Sequence, residues 1–180
     1  MRIFKGILIG ILSIIALLLI TAIFVKKEVN VKREITINKP ENEVFDYLKY
    51  LKNQDNFSKW NKIDPDMKKN YTGTDGTVGF VSAWESANDS VGVGEQEIKK
   101  ITQCERIDIE IRFKKPFEST NQAYFTTAFA GENATKVSWG LDSKMPYPMN
   151  LMNLFMDMDK MVGQDFEEGL ANLKEVLEKE

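Results

Sequence analysis

Acid–base chemistry in this chain falls to carboxylates, because there is no histidine and a single cysteine, Cys104. That excludes a Ser-His-Asp triad, a His-paired thiolate nucleophile, an HExxH metalloprotease and any zinc site built on imidazole. One cysteine closes no intramolecular disulfide and builds no cysteine metal cluster; no motif calls for a metal or cofactor, and none is expected. Glu85 and Glu97 are the candidates for a general base, a role that requires burial to raise the carboxyl pKa. Gln96 and Tyr124 are polar groups among bulky apolar residues, suited to orienting the polar end of an otherwise apolar ligand. The apolar candidates for a cavity wall are Trp60, Phe80, Trp84, Phe113, Trp139, Met152, Phe155 and Met156. Six of the eight methionines fall between Met145 and Met161, and unbranched thioethers adapt to ligands of varied shape.

These residues must be positioned by a chain of 180 residues, 43% of them hydrophobic and 28% charged, which fits one globular domain. From Val29, apolar residues alternate (Val29, Val31, Ile35, Ile37) as in a half-buried strand. Asn38, Pro40 and Glu41 then resemble a helix start with a capping box, followed by Val44, Phe45, Leu48 and Leu51 on one helical face. A short helical turn is expected near Asn56–Trp60. Beyond Asp64-Pro65, six strands follow: Tyr71–Thr74 and Thr77–Glu85 around an Asp75-Gly76 turn, then Val91–Thr102, Arg106–Lys115, Gln122–Ala130 and Thr135–Ser143. The segment from Pro148 to Glu180 has helical spacing and reads as one long closing helix. A two-residue turn at Cys104-Glu105 would set Lys99, Glu97 and Glu95 opposite Glu110, Arg112 and Lys114 on the solvent face. On the inner face it would set Ile98 opposite Ile111 and Gln96 opposite Phe113. On this register Glu95 and Glu97 are solvated sheet charges rather than an acid–base pair.

The first residues differ in kind. Gly6 to Val25 carries no charge and is long enough to cross a hydrocarbon core of roughly 30 Å. It is preceded by Arg2 and Lys5 and followed by Lys26, Lys27, Lys32 and Arg33. No small-x-small cleavage site follows the apolar run, so the segment reads as a retained single-pass anchor rather than a removed signal. The flanking charges nearly balance; a very short basic head before a long domain places that domain on the extracytoplasmic side. The formal net charge of −3, with no basic stripe, argues against a nucleic-acid partner.

The run Arg33-Glu34-Ile35-Thr36-Ile37-Asn38-Lys39-Pro40-Glu41-Asn42-Glu43-Val44-Phe45, read with this order of elements, resembles the polyketide cyclase/dehydrase and lipid-transport family of the START-like (SRPBCC) superfamily. Trp60, Asp64-Pro65, Gly76-Thr77-Val78-Gly79, Trp84-Glu85-Ser86, Gly94-Glu95-Gln96, Glu105-Arg106-Ile107 and Lys115-Pro116-Phe117 are similar to its bacterial branch with one membrane span. The resemblance implies an α+β helix-grip fold, a curved antiparallel sheet wrapped around a long C-terminal helix, here preceded by one transmembrane helix. It divides the chain into an anchor over 1–28 and a START-like domain over 29–180. It also implies a hydrophobic cavity that in relatives holds lipids, sterols, polyketides or hormones. Members that catalyse cyclisation commonly use cavity histidine or arginine. With no histidine here, and Arg106 and Arg112 on the solvent face, no catalytic residue carries over.

The resulting expectation is a membrane-anchored, non-catalytic domain that binds an apolar, lipid-like small molecule, with residues 6–25 in the bilayer. Two alternatives stand beside it. One is a filled-core module that binds a protein partner in the membrane or envelope; the other is a cyclase/dehydrase-type enzyme using a buried carboxylate.

Overall fold

The computed structural model describes residues Arg2 to Lys179. An N-terminal helix, α1 (Arg2–Phe24), leads into β1 (Glu28–Ile37) and α2 (Glu41–Leu48). Two short helices follow, α3 (Gln54–Phe57) and α4 (Lys59–Ile63). Six strands come next: β2 (Lys68–Thr72), β3 (Val81–Glu85), β4 (Val93–Thr102), β5 (Arg106–Lys115), β6 (Ser119–Gly131) and β7 (Ala134–Lys144). After a 3₁₀ turn at Met149–Leu154, the chain closes with α5 (Met158–Lys179). The strands make one antiparallel sheet in the order β1-β7-β6-β5-β4-β3-β2, so β1 and β2 are its two margins. This is the helix-grip arrangement expected from the sequence.

Alternation along the strands decides what the sheet's inner face buries. Val31 and Ile37 of β1, Ile98 of β4, Ile107 and Ile109 of β5, Phe125 of β6 and Val137 and Trp139 of β7 are buried. They pack with Phe45 and Leu48 of α2, Phe57 of α3, and Phe166, Leu170, Leu173 and Leu177 of α5. The spacing of those four α5 residues gives the helix one apolar face. Arg33, also on the inner face of β1, fixes α5 from the side. Its guanidinium donates to Asp159 at 3.0 Å and Glu167 at 2.7 Å, and it lies where a side chain at Gly163 would project.

Several local expectations are corrected. The β4–β5 connection holds three residues, Gln103 to Glu105, with Cys104 at φ +53°. A further irregularity lies between Ile98 and Lys100, so Gln96 faces Ile111, Ile98 faces Ile109 and Glu97 faces Glu110. The shift from the expected register is two residues by that point. An even shift preserves the faces, which is why the inner and outer assignments survive. Asn38 does not cap α2; its backbone N–H donates to Glu178, and α2 starts without a side-chain cap. Asp75-Gly76 is not a tight hairpin turn, because Thr72 pairs with Val81 across a longer loop. Asp75 instead accepts the backbone N–H groups of Leu51 and Lys52. The closing helix is broken: Met152 belongs to the 3₁₀ turn, and Phe155 and Met156 precede α5.

The register also gives the sheet two distinct ends. Glu28 pairs with Lys144, Gln122 with Asp142, Phe113 with Ser119, and Val93 with both Lys115 and Glu85. The start of β1 therefore lies at the same end as the C-terminal ends of β3, β5 and β7. This is the end where α1 joins. The turns at Cys104 and Glu132 lie at the other end, roughly 33 Å away for a ten-residue strand.

Candidate functional site

The space between sheet and helices is not uniform. Its middle is filled by aromatics around Trp139, which stacks on Phe166 at 4.5 Å between ring centroids and lies 4.9 Å from Phe125. Phe57 and Trp60 meet the same indole edge-on at 5.8 and 6.0 Å. Gly169 of α5 makes this possible, since a Cβ there would come within 2.6 Å of the Trp139 ring. Phe80 is fully buried and stacks on Tyr71, and burial pushes the Tyr71 hydroxyl pKa up. Trp139 and Phe80, expected as cavity wall, are core.

Toward the α1 end the inner face changes character. Trp84, Gln96, Ile111, Phe113 and Leu141 are only half-buried there. Trp84, Gly94 and Phe113 are direct neighbours across three strands. Because Gly94 has no side chain, the Trp84 indole can lie across it and meet Phe113 edge-to-face at 5.8 Å. The indole Nε1 donates to the Val91 carbonyl at 3.2 Å. Gln96 donates from Nε2 to Gln54 Oε1 of α3 at 3.1 Å. On the same face Ser143 donates to Asn121 Oδ1 at 2.6 Å. The open end of the concave face is thus an aromatic and aliphatic wall carrying two polar pairs.

Of the ten residues singled out from the sequence, Trp84, Gln96 and Phe113 come together in this wall, and Trp60 links the aromatic core to α4. Tyr124 does not belong: it lies on the outer face over Gly140, with the Arg106 guanidinium 3.9 Å from its ring centroid. Met152 and Phe155 are exposed, Phe155 to 81%, and Met156 is half-buried beside them. Ile111, Asn121, Leu141 and Ser143 were missed. Asn121 and Ser143 carry the same signal that marked Gln96, a polar residue at an inward position of a strand.

The carboxylate candidates are placed unfavourably for base catalysis. Glu85 is exposed. Glu97 is on the outer face, where Arg112 donates to Glu95 and Glu97 at 2.8 Å each and also to Glu110. Lys99 and Lys114 complete the cluster. The hydrogen bonds and positive charge hold Glu95 and Glu97 below the usual carboxylate range, opposite to what a general base near neutrality needs. Among the described residues no Asp or Glu is buried, and none form a metal-binding group with Cys or His.

A family model described as polyketide cyclase / dehydrase and lipid transport matches residues 28–178. The chain belongs to that family. Solved structures of similar fold include norcoclaurine synthase from Thalictrum flavum in complex with dopamine and hydroxybenzaldehyde (TM-score 0.60, 6% identity, 89% of this chain and 91% of that one). A Mesorhizobium loti protein aligns with TM-score 0.58 at 14% identity over 84% of this chain and 98% of its own. A protein of the dynemicin biosynthetic locus aligns with TM-score 0.57 at 13% identity; 83% of this chain is covered, spanning about half (47%) of that protein. No curated protein matches. At these identities the neighbours of this polyketide cyclase / dehydrase and lipid transport family member establish its fold.

The α1 helix stands apart from the sheet-and-helix body. Ile3–Phe24 has a mean hydropathy of 3.1, is long and apolar enough to cross a membrane, and is 6% buried. Its C-terminal end is tied to the segment after β7. Asn150, fully buried, donates from Nδ2 to the carbonyls of Ala22 at 2.7 Å and Val25 at 2.9 Å. Asn153 donates to Lys26, and the Met145 N–H donates to Lys27. These donors satisfy carbonyls that a helix end leaves without intrahelical partners.

Proposed function

We propose that this chain is a membrane-anchored carrier of an apolar, lipid-like ligand, held against the open part of the concave face. The observation that carries the reading is the half-buried wall of Trp84, Ile111, Phe113 and Leu141 with its polar pairs Gln54–Gln96 and Asn121–Ser143, at the sheet end where α1 joins. Apolar surface with a few convergent polar groups is the usual make-up of a small-molecule site. The family's name includes lipid transport, which agrees with such a ligand. The α1 helix, exposing its apolar side chains and fastened at one end by Asn150, fits a retained span better than a removable signal. Tethering keeps the wall at high local concentration beside the bilayer that supplies the ligand. The extracytoplasmic side remains the reading of its topology.

The test is native mass spectrometry and organic extraction of the full chain purified from its own cells in mild detergent, beside Ile111→Trp, which adds bulk at the middle of the wall. The expected result is a stoichiometric apolar adduct on the wild type, lost in the variant with the melting temperature nearly unchanged. An adduct that persists in Ile111→Trp removes this wall as the site. A bare mass for the wild type would favour a protein partner, a reading for which the filled aromatic core is the specific observation.

A further inference from the structure

The segment between β7 and α5, with the first turn of α5, carries apolar side chains on the outside of the molecule: Met149 is 47% exposed, Leu154 55%, Phe155 81% and Met161 50%. Among the described residues nothing covers them, and they are not scattered, since all fall within thirteen residues of chain. Their position relative to α1 is fixed by hydrogen bonds. The Tyr147 hydroxyl donates to the Leu19 carbonyl at 3.3 Å, and Asn150 donates to Ala22 and Val25. Leu19 lies five residues before the end of α1, about 7 Å along the helix axis. From Tyr147 to Asn153 the chain therefore runs from beside the last turns of α1 to just past its end, where Asn153 donates to the Lys26 carbonyl at 3.1 Å.

A membrane surface segment with its apolar face buried sits about 5–10 Å below the headgroup boundary. With α1 as a span ending at the headgroup boundary, the start of this segment would lie at that depth. Met149, Leu154 and Phe155 are exposed, and so are Ile20, Ile23 and Phe24 near the end of α1 to which the turn is bonded. At the level where α1 ends, Lys26, Lys27 and Lys144 line, with Glu28 and Asn30, an open depression of about 700 Å³, whose net positive charge suits anionic headgroups.

Building on the reading of α1 as a span, we infer that Met149–Met161 is a second membrane contact: it lies in the headgroup and upper acyl region of the leaflet beside α1 and seats the domain on the bilayer. The occupant of this apolar face is lipid. The seat lies at the sheet end that carries the open wall, so a ligand passing between leaflet and wall crosses little water.

The experiment uses the full chain, with Cys104→Ser, reconstituted in phosphatidylcholine–phosphatidylglycerol vesicles and carrying one fluorescent thiol label. The labelled variants are Phe155→Cys, Met152→Cys, Ile14→Cys within α1, and Phe129→Cys at the far end of the sheet. The expected result is that labels at 155 and 152 are quenched by lipid nitroxides placed near the headgroup end of the acyl chain and shielded from aqueous iodide. The label at 14 is quenched by deeper nitroxides, and the label at 129 only by iodide. If labels at 155 and 152 meet iodide as freely as that at 129 while the label at 14 stays in lipid, the seat is overturned and the span stands. If the label at 14 meets iodide, the span falls and the seat with it.

Discussion

Arg112 shows how one side chain settles a chemical question. It gathers Glu95, Glu97 and Glu110 on the outer face and, with Lys114 as the larger influence on Glu95 and Lys99 assisting at Glu97, keeps those two ionised to lower pH than isolated carboxylates. Groups with depressed folded-state pKa contribute stability that is full above the unfolded value and fades as pH falls through the folded one. Arg112→Gln should thus cost about 1 kcal/mol at pH 7, the scale of a partly exposed ion-pair cluster. The deficit should shrink below the ordinary carboxylate range as both states take up protons. Urea unfolding of both proteins at pH 7 and pH 3 checks this; a deficit unchanged at pH 3 would mean Arg112 acts through packing. Glu34 behaves alike, held down to about 2 by Lys136, Lys32 and Ser138, so its share of stability is lost between roughly pH 4.5 and 2.

Among the elements, α5 and the sheet are fitted by glycines. An alanine at 169 gains up to about 1 kcal/mol of helix propensity, but its Cβ would lie 2.6 Å from a ring locked between Phe125 and Phe166. Overpacking of that kind costs about 1–3 kcal/mol, so Gly169→Ala should lower the melting temperature. Gly163→Ala meets the end of the Arg33 side chain, which can swing toward solvent, and should cost less; calorimetry of the pair tests the order. Much of this was legible beforehand: alternation in β1 and β4–β7, and the spacing Phe166, Leu170, Leu173, Leu177, gave the fold class and the faces. The loops were not. The register was lost at Cys104, whose positive φ turns a two-residue turn into three, and at the irregularity after Ile98, neither of which leaves a mark in hydrophobic pattern. The methionines around Met152 kept helical spacing without being in the long helix, because their partner is α1 and not the sheet. Tyr124 lies outside the wall for a plainer reason: it alternates with Ala123 and Phe125, both buried, so strand parity puts its hydroxyl on the outer face.

At the scale of the whole molecule, the joint at Asn150 unites two parts that composition alone would separate. Asn150→Ala removes both of its donated bonds to α1 and should leave the β-sheet's amide exchange unchanged while speeding exchange over 145–155 and the last turn of α1, as expected for a locally opening unit. Uniform acceleration would instead make Asn150 part of the global fold. On the proposed anchoring, the strand order has a last consequence for a protein held in a plane. Neighbouring chains confined to one surface meet side by side, the geometry in which an open sheet margin invites another chain's backbone to pair with it. Here one margin, β2, is only five residues long and begins Lys68-Lys69, and the other, β1, carries Lys32, Arg33 and Glu34 at its middle. Charge and brevity at the two margins would then oppose polymerisation of crowded copies through their sheets.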